Sequence, residues 1–366
     1  MIRDAHGNLL EAEADALVNT VNTVGVMGKG IALQFKRAFP ENYKAYKRAC
    51  DRGAVELGKM FVWDGGALGG DGPRYIINFP TKKHWRSRSK LADIETGLED
   101  LTRQVEALSI ARIAVPPLGC GHGGLRWEQV RPLIERAFEG VPNVEVLLFG
   151  PDGAPDAVDQ PVRTDLPKMT PGRAALIRMM QRYLPFAVEI TAVDIQKLMY
   201  FMQEAGEPLR LNYVKGRYGP YADNLRHVLN SMEGHYIRGT GDGSAKALDA
   251  IPFEVLDGAG PAAASVLDQQ PETAARMDRV AGLIEGFEST YGLELLATVH
   301  WAALRDDDGD RRDAPLRLEG VEDAVKKWNR RKGRLFTQAH LEKAIARLDE
   351  GGWLRPDVSG GLLRTV

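Results

Sequence analysis

The first 150 residues alternate between short apolar runs and longer segments with helical periodicity. Between 91 and 108, apolar residues recur at the spacing of one helical face. Strands that are separated by helices of about ten or more residues are typical of a sheet with helices on both faces. This part therefore predicts an α/β layer structure. Strands are predicted over 14–19, 60–63, 75–79, 113–117 and 144–149, and helices over 30–39 (ending at Pro40), 91–108 and 127–138.

The character of the sequence changes after residue 150. Residues 151–170 contain several prolines and aspartates with little periodicity, which favours an extended linker. Thr170 and Pro171 then resemble an N-cap followed by proline at the first helical position. We therefore predict a domain over 1–150, a linker over 151–170 and a mainly helical domain over 171–366. Its helices are predicted over 171–184, 191–205, 220–233, 271–290, 293–304, 320–330 and 337–350.

Charge is distributed unevenly, although the net charge is only −2. Residues 1–150 carry 20 Lys+Arg and 18 Asp+Glu, whereas residues 151–366 carry 28 and 32. Within 251–310 there are 12 acidic and 3 basic residues, and the chain turns basic again around 311–334. An acidic stretch is ordinarily a solvated surface. The alternative is a face that contacts a basic partner.

Several classes of protein lack support in this sequence. The apolar runs, such as 144–149, are far shorter than a membrane span, and no secretion leader precedes the first strand. Cys50 and Cys120 are therefore expected to stay reduced, in a cytoplasmic protein that does not contact a membrane. His, Cys and Asp do not cluster at metal-ligand spacing, so we expect neither a metal nor a cofactor.

Two glycine-rich loops each follow a predicted strand. The first, over 19–32, opens a helix, and the second, over 119–125, contains four glycines in six residues. Glycine lets the backbone approach a ligand, and the free N–H groups at a helix start favour an anion. One such turn is a weak indicator, and the first matches neither the P-loop nor the dinucleotide pattern. Two together, at the carboxyl ends of strands, predict a cradle for a diphosphate.

A third polar segment, over 78–86, contains Lys82, Lys83 and His84. Lysines on loops are usually exposed to solvent, and His84 is equally well explained as a polar rim residue. A lysine at the mouth of an anion site acts as a nucleophile or base once its pKa falls. The residues alone leave both interpretations open.

These three segments resemble the macrodomain of the DarG antitoxins, within the lysine-using ADP-ribose glycohydrolases. The motifs that carry the resemblance are NTVNTVGVMGKGIALQFKRAFP, FPTKKHWR and PPLGCGHGGLRWE. The resemblance implies a mixed sheet between helices, with ADP-ribose bound in a cleft as ligand and product. It also implies removal of ADP-ribose from thymidine in single-stranded DNA, where the partner toxin DarT attaches it.

The resemblance also assigns roles to individual residues. Lys82 occupies the position of the catalytic lysine, which attacks the anomeric carbon of the distal ribose, and Asn22 is placed near that ribose. Asn8 stands where the family usually has an aspartate that holds the adenine amine, so we expect adenine recognition to be weaker or to rely on the backbone of Leu9. Some relatives carry a catalytic aspartate in the second loop. The matching stretch here has no carboxylate, so the acid/base partner of Lys82 either lies elsewhere or is His122. The residues assigned to ADP-ribose binding are Asn8, Leu9, Asn19, Thr20, Asn22, Met27, Gly28, Lys29, Gly30, Ile31, Thr81, Pro117, Leu118, Gly119, Cys120, Gly121, His122, Gly123, Gly124 and Leu125.

The second half resembles the helical SocA-like (Panacea) domain of DarG proteins. The residues that carry this likeness are IQKLMYF, GEPL and RYGPY, between 195 and 221. Taken alone, the apolar ones are most simply helix core. The resemblance implies that this half binds the toxin, and the acidic stretch 251–310 is then a candidate mimic of DNA in the toxin's phosphate groove.

The sequence therefore predicts a two-part antitoxin: a DNA ADP-ribosyl glycohydrolase joined to a DarT-binding domain. Two alternatives remain. One is a macrodomain that binds ADP-ribose without turnover, and the other is a glycohydrolase that acts on ADP-ribosylated protein.

Overall fold

The computed structural model describes residues 1–66, 72–152, 160–243 and 251–354. The chain divides into two compact units. The first consists of Met1–Asp165 with Gly241–Ser244, and the second of Leu166–Thr240 with Ala245–Val366. The division after Asp165 falls within the predicted linker 151–170, of which residues 153–159 lie outside the described part of the chain.

A six-stranded mixed sheet forms the centre of the first unit, with the strand order β1-β6-β5-β2-β4-β3. All neighbouring pairs are parallel except β3 with β4, which is antiparallel. The predicted mixed sheet between helices is therefore confirmed. The strands are β1 (Ile2–Ala5), β2 (Ala16–Asn22), β3 (Phe61–Asp64), β4 (Tyr75–Lys82), β5 (Arg112–Val115) and β6 (Glu145–Phe149).

Helices cover both faces of this sheet. Side chains alternate between the two faces along a strand. Ala16 and Val18 of β2 therefore join the core beneath α3 and α4, and Leu17 packs on the opposite face with Phe35 of α1. A short 3₁₀ turn, Leu9–Glu11, adds Leu9 and Leu10 to that second core. The helices are α1 (Gly30–Ala38), α2 (Pro40–Asp51), α3 (Leu91–Ala107) and α4 (Trp127–Glu139).

Several elements of the first unit differ from the sequence prediction: β1 and α2 were not predicted, and β2 ends at Asn22 rather than at Asn19. The helix α1 ends just before Pro40, as predicted. Pro40 is, however, also the first residue of α2, a position where the N–H that proline lacks has no helical partner. β4 continues to Lys82 rather than ending near Phe79, because it pairs with β2 as far as Asn22 opposite Lys82. Lys82 thus lies at the end of a strand and not on a loop.

The second unit is mainly helical, as predicted. Thr170 caps its first helix by accepting a hydrogen bond from Arg173 N, and nearly all of α10 is buried in its core. The helices are α5 (Pro171–Tyr183), α6 (Ala192–Glu204), α7 (Asp223–Met232), α8 (Ala259–Leu267), α9 (Pro271–Ile284), α10 (Thr290–Leu304), α11 (Leu318–Trp328), α12 (Arg330–Leu335) and α13 (Gln338–Glu350). Two small antiparallel pairs accompany them: β7 (Tyr213–Gly216) with β8 (Gly219–Ala222), and β9 (Ile237–Arg238) with β10 (Glu254–Val255).

Three predicted helices of the second unit need correction. The helix predicted over 220–233 begins only at Asp223, because the preceding residues pair as β8. The helix predicted over 271–290 ends at Ile284, and α10 starts at Thr290 because Ser289 caps it. The helices α8 and α12 were not predicted.

Two features concern the chain as a whole. Cys50 and Cys120 are both free thiols. None of the helices within the described residues has the length and apolar character needed to cross a bilayer.

Candidate active site

Three parallel neighbours, β5, β2 and β4, end at the same edge of the sheet. The carboxyl edge of such a sheet is where α/β proteins place ligands. Each strand is followed by one of the polar segments that the sequence singled out. We name them loop A (residues 23–29, after β2), loop B (residues 116–126, after β5) and loop C (residues 83–90, after β4).

Hydrogen bonds connect the three loops. The backbone N and Oγ1 of Thr23 in loop A both donate to the carbonyl oxygen of Lys83 in loop C, at 3.1 Å and 2.9 Å. Ser89 N in loop C donates to Gly123 O in loop B at 3.0 Å. Lys82 Nζ donates to the carbonyl oxygen of His122 at 2.9 Å. Residues that are distant in sequence therefore form one local structure.

Asn22, the last residue of β2, shapes loop A with its side chain. Its Oδ1 accepts hydrogen bonds from Val24 N and Val26 N at 3.0 Å and 3.3 Å, and its Nδ2 donates to Val26 O at 2.6 Å. The Tyr46 hydroxyl donates to the Asn22 carbonyl at 2.5 Å. These bonds fold loop A back onto the end of the strand. Tyr46, from α2, is a site-shaping residue that no local motif indicated.

The start of α1 gives loop A the character of an anion site. Lys29 is the N-cap residue but provides no side-chain cap, and the first turn contains no acidic residue. Positive backbone charge therefore accumulates at this end of the helix. The Gly30 N–H donates to the Asp242 carbonyl at 2.8 Å, which fixes the first helical residue. Lys29 itself is exposed beside this turn.

Loop B is a tight, internally bonded loop. Leu125 N donates to Gly119 O at 3.1 Å, and Gly124 N donates to Gly121 O at 3.0 Å. Gly119 has a φ of +71°, which favours glycine. At Gly123, an added Cβ would lie 2.3 Å from Gly119 O and 2.4 Å from Ser89 Oγ, so a side chain there would push the loop apart. Gly121, by contrast, has open space around its Cα.

Electrostatics favour neutral forms of Lys82 and His122. Burial lowers the pKa of Lys82 below that of an ordinary lysine. Burial, and then the positive charges of Lys29 and Lys82, lower the pKa of His122, although Asp242 acts in the opposite direction. A lysine with a lowered pKa presents more free amine at neutral pH and is a better nucleophile. The site therefore combines backbone N–H donors with an amine whose pKa is lowered.

Some predicted site residues are enclosed beneath the loops. Asn19 is fully buried, and its Nδ2 donates to Asn78 Oδ1 at 3.0 Å, while Asn78 donates to Asn42 Oδ1 at 2.7 Å. This amide cluster supports β2 and β4 from inside the unit, and Asn42 was not anticipated from the sequence. Asn8 Oδ1 accepts a hydrogen bond from Leu10 N at 3.1 Å and so caps the 3₁₀ turn.

The remaining predicted residues differ in accessibility. Lys29, Gly121, His122 and Gly124 are exposed; Asn8, Thr20, Gly28, Gly30, Ile31, Lys82, Pro117, Cys120 and Leu125 are half-buried; Leu9, Asn19, Asn22, Met27, Thr81, Leu118, Gly119 and Gly123 are buried. The exposed and half-buried sets hold the side chains and loop backbone that an incoming ligand would meet. Most of the buried set lies beneath them and supports them.

Comparison with known proteins identifies the family to which the fold of the first unit belongs. The family model of the Macro domain matches residues 18–134, which include β2, β4, β5 and loops A to C. This match identifies the first unit as a macrodomain. The macrodomain of Mycobacterium tuberculosis DarG, a solved structure, is 58% identical over 42% of this chain and 99% of that one, with a TM-score of 0.41.

Relatives that match almost the whole chain are more specific. The DNA ADP-ribosyl glycohydrolase of Thermus aquaticus is 46% identical over 358 residues, which are 98% of this chain and 95% of the relative. The protein of the same name from Mycobacterium tuberculosis is 46% identical over 360 residues, 95% and 99% of the two chains. This chain belongs to the DNA ADP-ribosyl glycohydrolase family. The predicted likeness to DarG and the prediction of a glycohydrolase are confirmed.

Proposed function

We propose that the first unit removes ADP-ribose from thymidine in single-stranded DNA and that the second unit binds a DarT toxin. The observation that carries the first part is the position of Lys82. Its amine lies at the carboxyl edge of the sheet, 2.9 Å from the carbonyl oxygen of His122 in loop B. Loop A, which leads into a helix start without a side-chain cap, follows the neighbouring strand β2. A diphosphate held by loops A and B would bring the attached ribose toward this amine.

The proposed reaction uses few groups. Loops A and B hold the diphosphate through backbone N–H donors, and this positioning supplies several kcal/mol of the barrier. Lys82 Nζ attacks the anomeric carbon, the bond from that carbon to the thymine nitrogen breaks, and the base leaves with the electron pair and gains a proton. Water then displaces Lys82 from the anomeric carbon and releases ADP-ribose.

Two further residues have proposed roles in this step. Asn22 uses one of the two N–H donors of its amide for Val26 O. We assign the other donor to the hydroxyls of the distal ribose, as the family resemblance implies. His122, whose pKa is lowered, is the proposed acceptor for the proton that Lys82 must lose.

The proposed partner rests on a relative and on charge. A protein of Thermosipho africanus, 36% identical over 143 residues, is named a DNA ADP-ribosyl transferase-DNA ADP-ribosyl glycohydrolase fusion protein. In that chain the two activities are joined, which supports a transferase as partner here. Within the acidic stretch 251–310, Glu294 is buried, but Asp307 and Asp308 are exposed on a loop that Asp306 orders. We propose this loop as part of the toxin-binding face.

Lys82→Ala tests the enzymatic proposal, with Lys83→Ala as a matched control because Lys83 is the exposed next residue. We expect Lys82→Ala to lower ADP-ribose release from an ADP-ribosylated thymidine oligonucleotide by about 10³-fold, since the nucleophile is lost. Affinity for free ADP-ribose should stay within a few fold. Lys83→Ala should behave like the wild type.

The same assay decides between the alternatives. A wild-type protein that binds ADP-ribose but releases none from DNA or from an ADP-ribosylated glutamate peptide would be a reader. Release from the peptide but not from DNA would make it a protein glycohydrolase. An equal loss of ADP-ribose release in the Lys82→Ala and Lys83→Ala variants would contradict the specific role of Lys82.

A further inference from the structure

The second unit contains a cavity of about 570 Å³ that the proposed function does not use. It lies between the turn that joins β7 to β8 and the junction of α11 with α12. We call it the basic cleft. Its lining includes Lys215, Arg217, Trp328, Asn329, Arg330 and Arg331.

Positive charge in the basic cleft exceeds negative charge. Among the described residues, the lining includes four cationic side chains and no carboxylate. Lys215 forms an ion pair with the exposed Asp307 at 3.1 Å, and Arg331 forms one with the buried Glu294 at 2.6 Å. Within the described ranges, Arg217 and Arg330 have no carboxylate partner. Two guanidinium groups are therefore available to an anion.

A further cation lies directly behind the lining. Lys332 Nζ is buried and donates to the same Glu294 carboxylate at 2.5 Å and to Thr298 Oγ1 at 2.9 Å. Glu294 is thus shared between Arg331 and Lys332. Burial lowers the pKa of Lys332 to about 8. One carboxylate thus faces two cations. A bound anion would relieve this excess of positive charge.

The walls of the basic cleft are fixed to one another. Trp328 Nε1 donates to Gly216 O at 2.8 Å, and Asn329 Nδ2 donates to Arg217 O at 3.2 Å. Asn329 Oδ1 also accepts a hydrogen bond from Lys332 N at 2.9 Å. The hairpin turn and the helix junction therefore hold their side chains in a defined arrangement before any ligand arrives, which reduces the entropic cost of binding.

Aromatic rings hold the cations in place. Lys215 Nζ lies 5.1 Å from the centroid of the Trp328 ring, and the Arg331 guanidinium lies 5.1 Å from that of Tyr218. The Arg217 guanidinium contacts the same Tyr218 ring at 5.5 Å. Such pairs orient the charged groups without neutralising them. The cleft thus combines cations with a half-buried tryptophan.

We propose that the basic cleft binds the phosphodiester backbone of single-stranded DNA. Guanidinium groups match the geometry of phosphate oxygens, and several cations along one groove follow a strand rather than a single ion. Proteins that bind single strands pair such a groove with aromatic side chains next to the bases. The choice of DNA among phosphate polymers rests on the proposed function of the first unit. The anionic character of the ligand rests only on the cleft.

The test measures binding of an unmodified, fluorescein-labelled poly-thymidine oligonucleotide to the full chain by anisotropy, over a series of salt concentrations. The variant is R217E/R330E, and the charge-matched control is K168E/K343E, which reverses two exposed lysines outside the cleft. We expect the cleft variant to raise the Kd for the oligonucleotide by about tenfold or more. The slope of log Kd against log salt should fall by about 1.4, as for two lost contacts to a single strand. The control should change little.

Several outcomes would overturn this proposal. One is an equal change in Kd and slope for both variants. Another is that inorganic phosphate abolishes the difference in oligonucleotide affinity between the variants at a concentration where a phosphate-free salt of equal ionic strength preserves it. That result would indicate a site for a single ion. A third is loss of DarT binding with oligonucleotide binding intact, which would make the cleft a protein interface. If R217E/R330E melts at a lower temperature than the wild type, R217Q/R330Q replaces it, and the same three outcomes apply.

Failure of the proposed function would be seen separately. The anisotropy probe carries no ADP-ribose and needs no turnover. Release from an ADP-ribosylated thymidine mononucleotide, which has no strand to occupy the cleft, reports on Lys82 alone. Absence of that release with intact oligonucleotide binding would count against the proposed reaction and leave the basic cleft as a nucleic-acid site.

Discussion

The two units place their polar groups in opposite ways. In the macrodomain, the candidate site is built at the ends of β2, β4 and β5 from glycine-rich backbone, and one amine, Lys82, faces it. In the helical unit, charged side chains enter the core itself: Glu294 is 2% exposed and Lys332 is fully buried. A parallel sheet ends in a row of loops whose backbone donors can meet a ligand. A helical unit has no such edge, so its polar sites depend on side chains that the packing must hold.

This difference predicts different consequences of substitution. A glycine loop at a sheet edge contributes to ligand affinity and little to the stability of the fold. A buried ion pair contributes to the stability of the fold and little to ligand affinity, because removal of one partner leaves an unpaired charge in a medium of low polarity. Substitutions in the glycine loops of the first unit should therefore change ligand affinity, whereas substitutions at the buried ion pair of the second unit should change stability.

The largest expected effect is on the stability of the second unit. Glu294→Gln leaves Lys332 and Arg331 without their carboxylate, and we expect a loss of about 3 to 5 kcal/mol. Asp307→Asn, which breaks the exposed pair with Lys215, should change stability little, because solvent screens the two charges. Hydrogen exchange of the full chain measures both, through amides of α10. Similar protection in the two variants would contradict the dominant contribution of the buried ion pair to the stability of the second unit.

The next effect concerns ligand affinity in the first unit. Gly123→Ala places a methyl group 2.3 Å from Gly119 O, whereas Gly121→Ala meets no atom within 4 Å. We expect Gly123→Ala to weaken ADP-ribose binding by about 10- to 100-fold, or about 1.4 to 2.7 kcal/mol, because loop B must open. Gly121→Ala should bind within a few fold of the wild type. Calorimetric titration measures both affinities, and equal values would show that loop B does not depend on its close packing.

The smallest effect is expected at exposed charges. Asp308→Asn combined with Asp310→Asn keeps Asp306, whose carboxylate accepts the N–H groups of both residues. We expect DarT binding to weaken by about tenfold at low salt, with a difference that shrinks as salt rises, because exposed charges are screened. The control is Asp349→Asn with Glu350→Gln, two exposed residues of α13. Unchanged affinity and salt dependence would remove this loop from the proposed interface.

Some of the site was accessible to sequence reasoning because it lies in continuous motifs. Loops A and B were recognised by their glycines, whereas the role of Lys82 was assigned by resemblance to the family. Other contributors lie outside any motif. Tyr46 reaches the carbonyl of Asn22 from α2, a helix that begins at Pro40, where the prediction ended one. Local periodicity cannot indicate such a contact, because the hydroxyl and its acceptor are 24 residues apart.

The sequence by itself determined the alternation of strands and helices in the first unit, the helical character of the second and the order of the three motifs. These depend on periodicity and on glycine, which act over a few neighbouring residues. The tertiary structure alone decided that β1 pairs with β6, that Asn19 is enclosed with Asn78, and that Lys332 shares Glu294 with Arg331. Each of these joins residues that are far apart along the chain, and their burial arises only when the core closes around them.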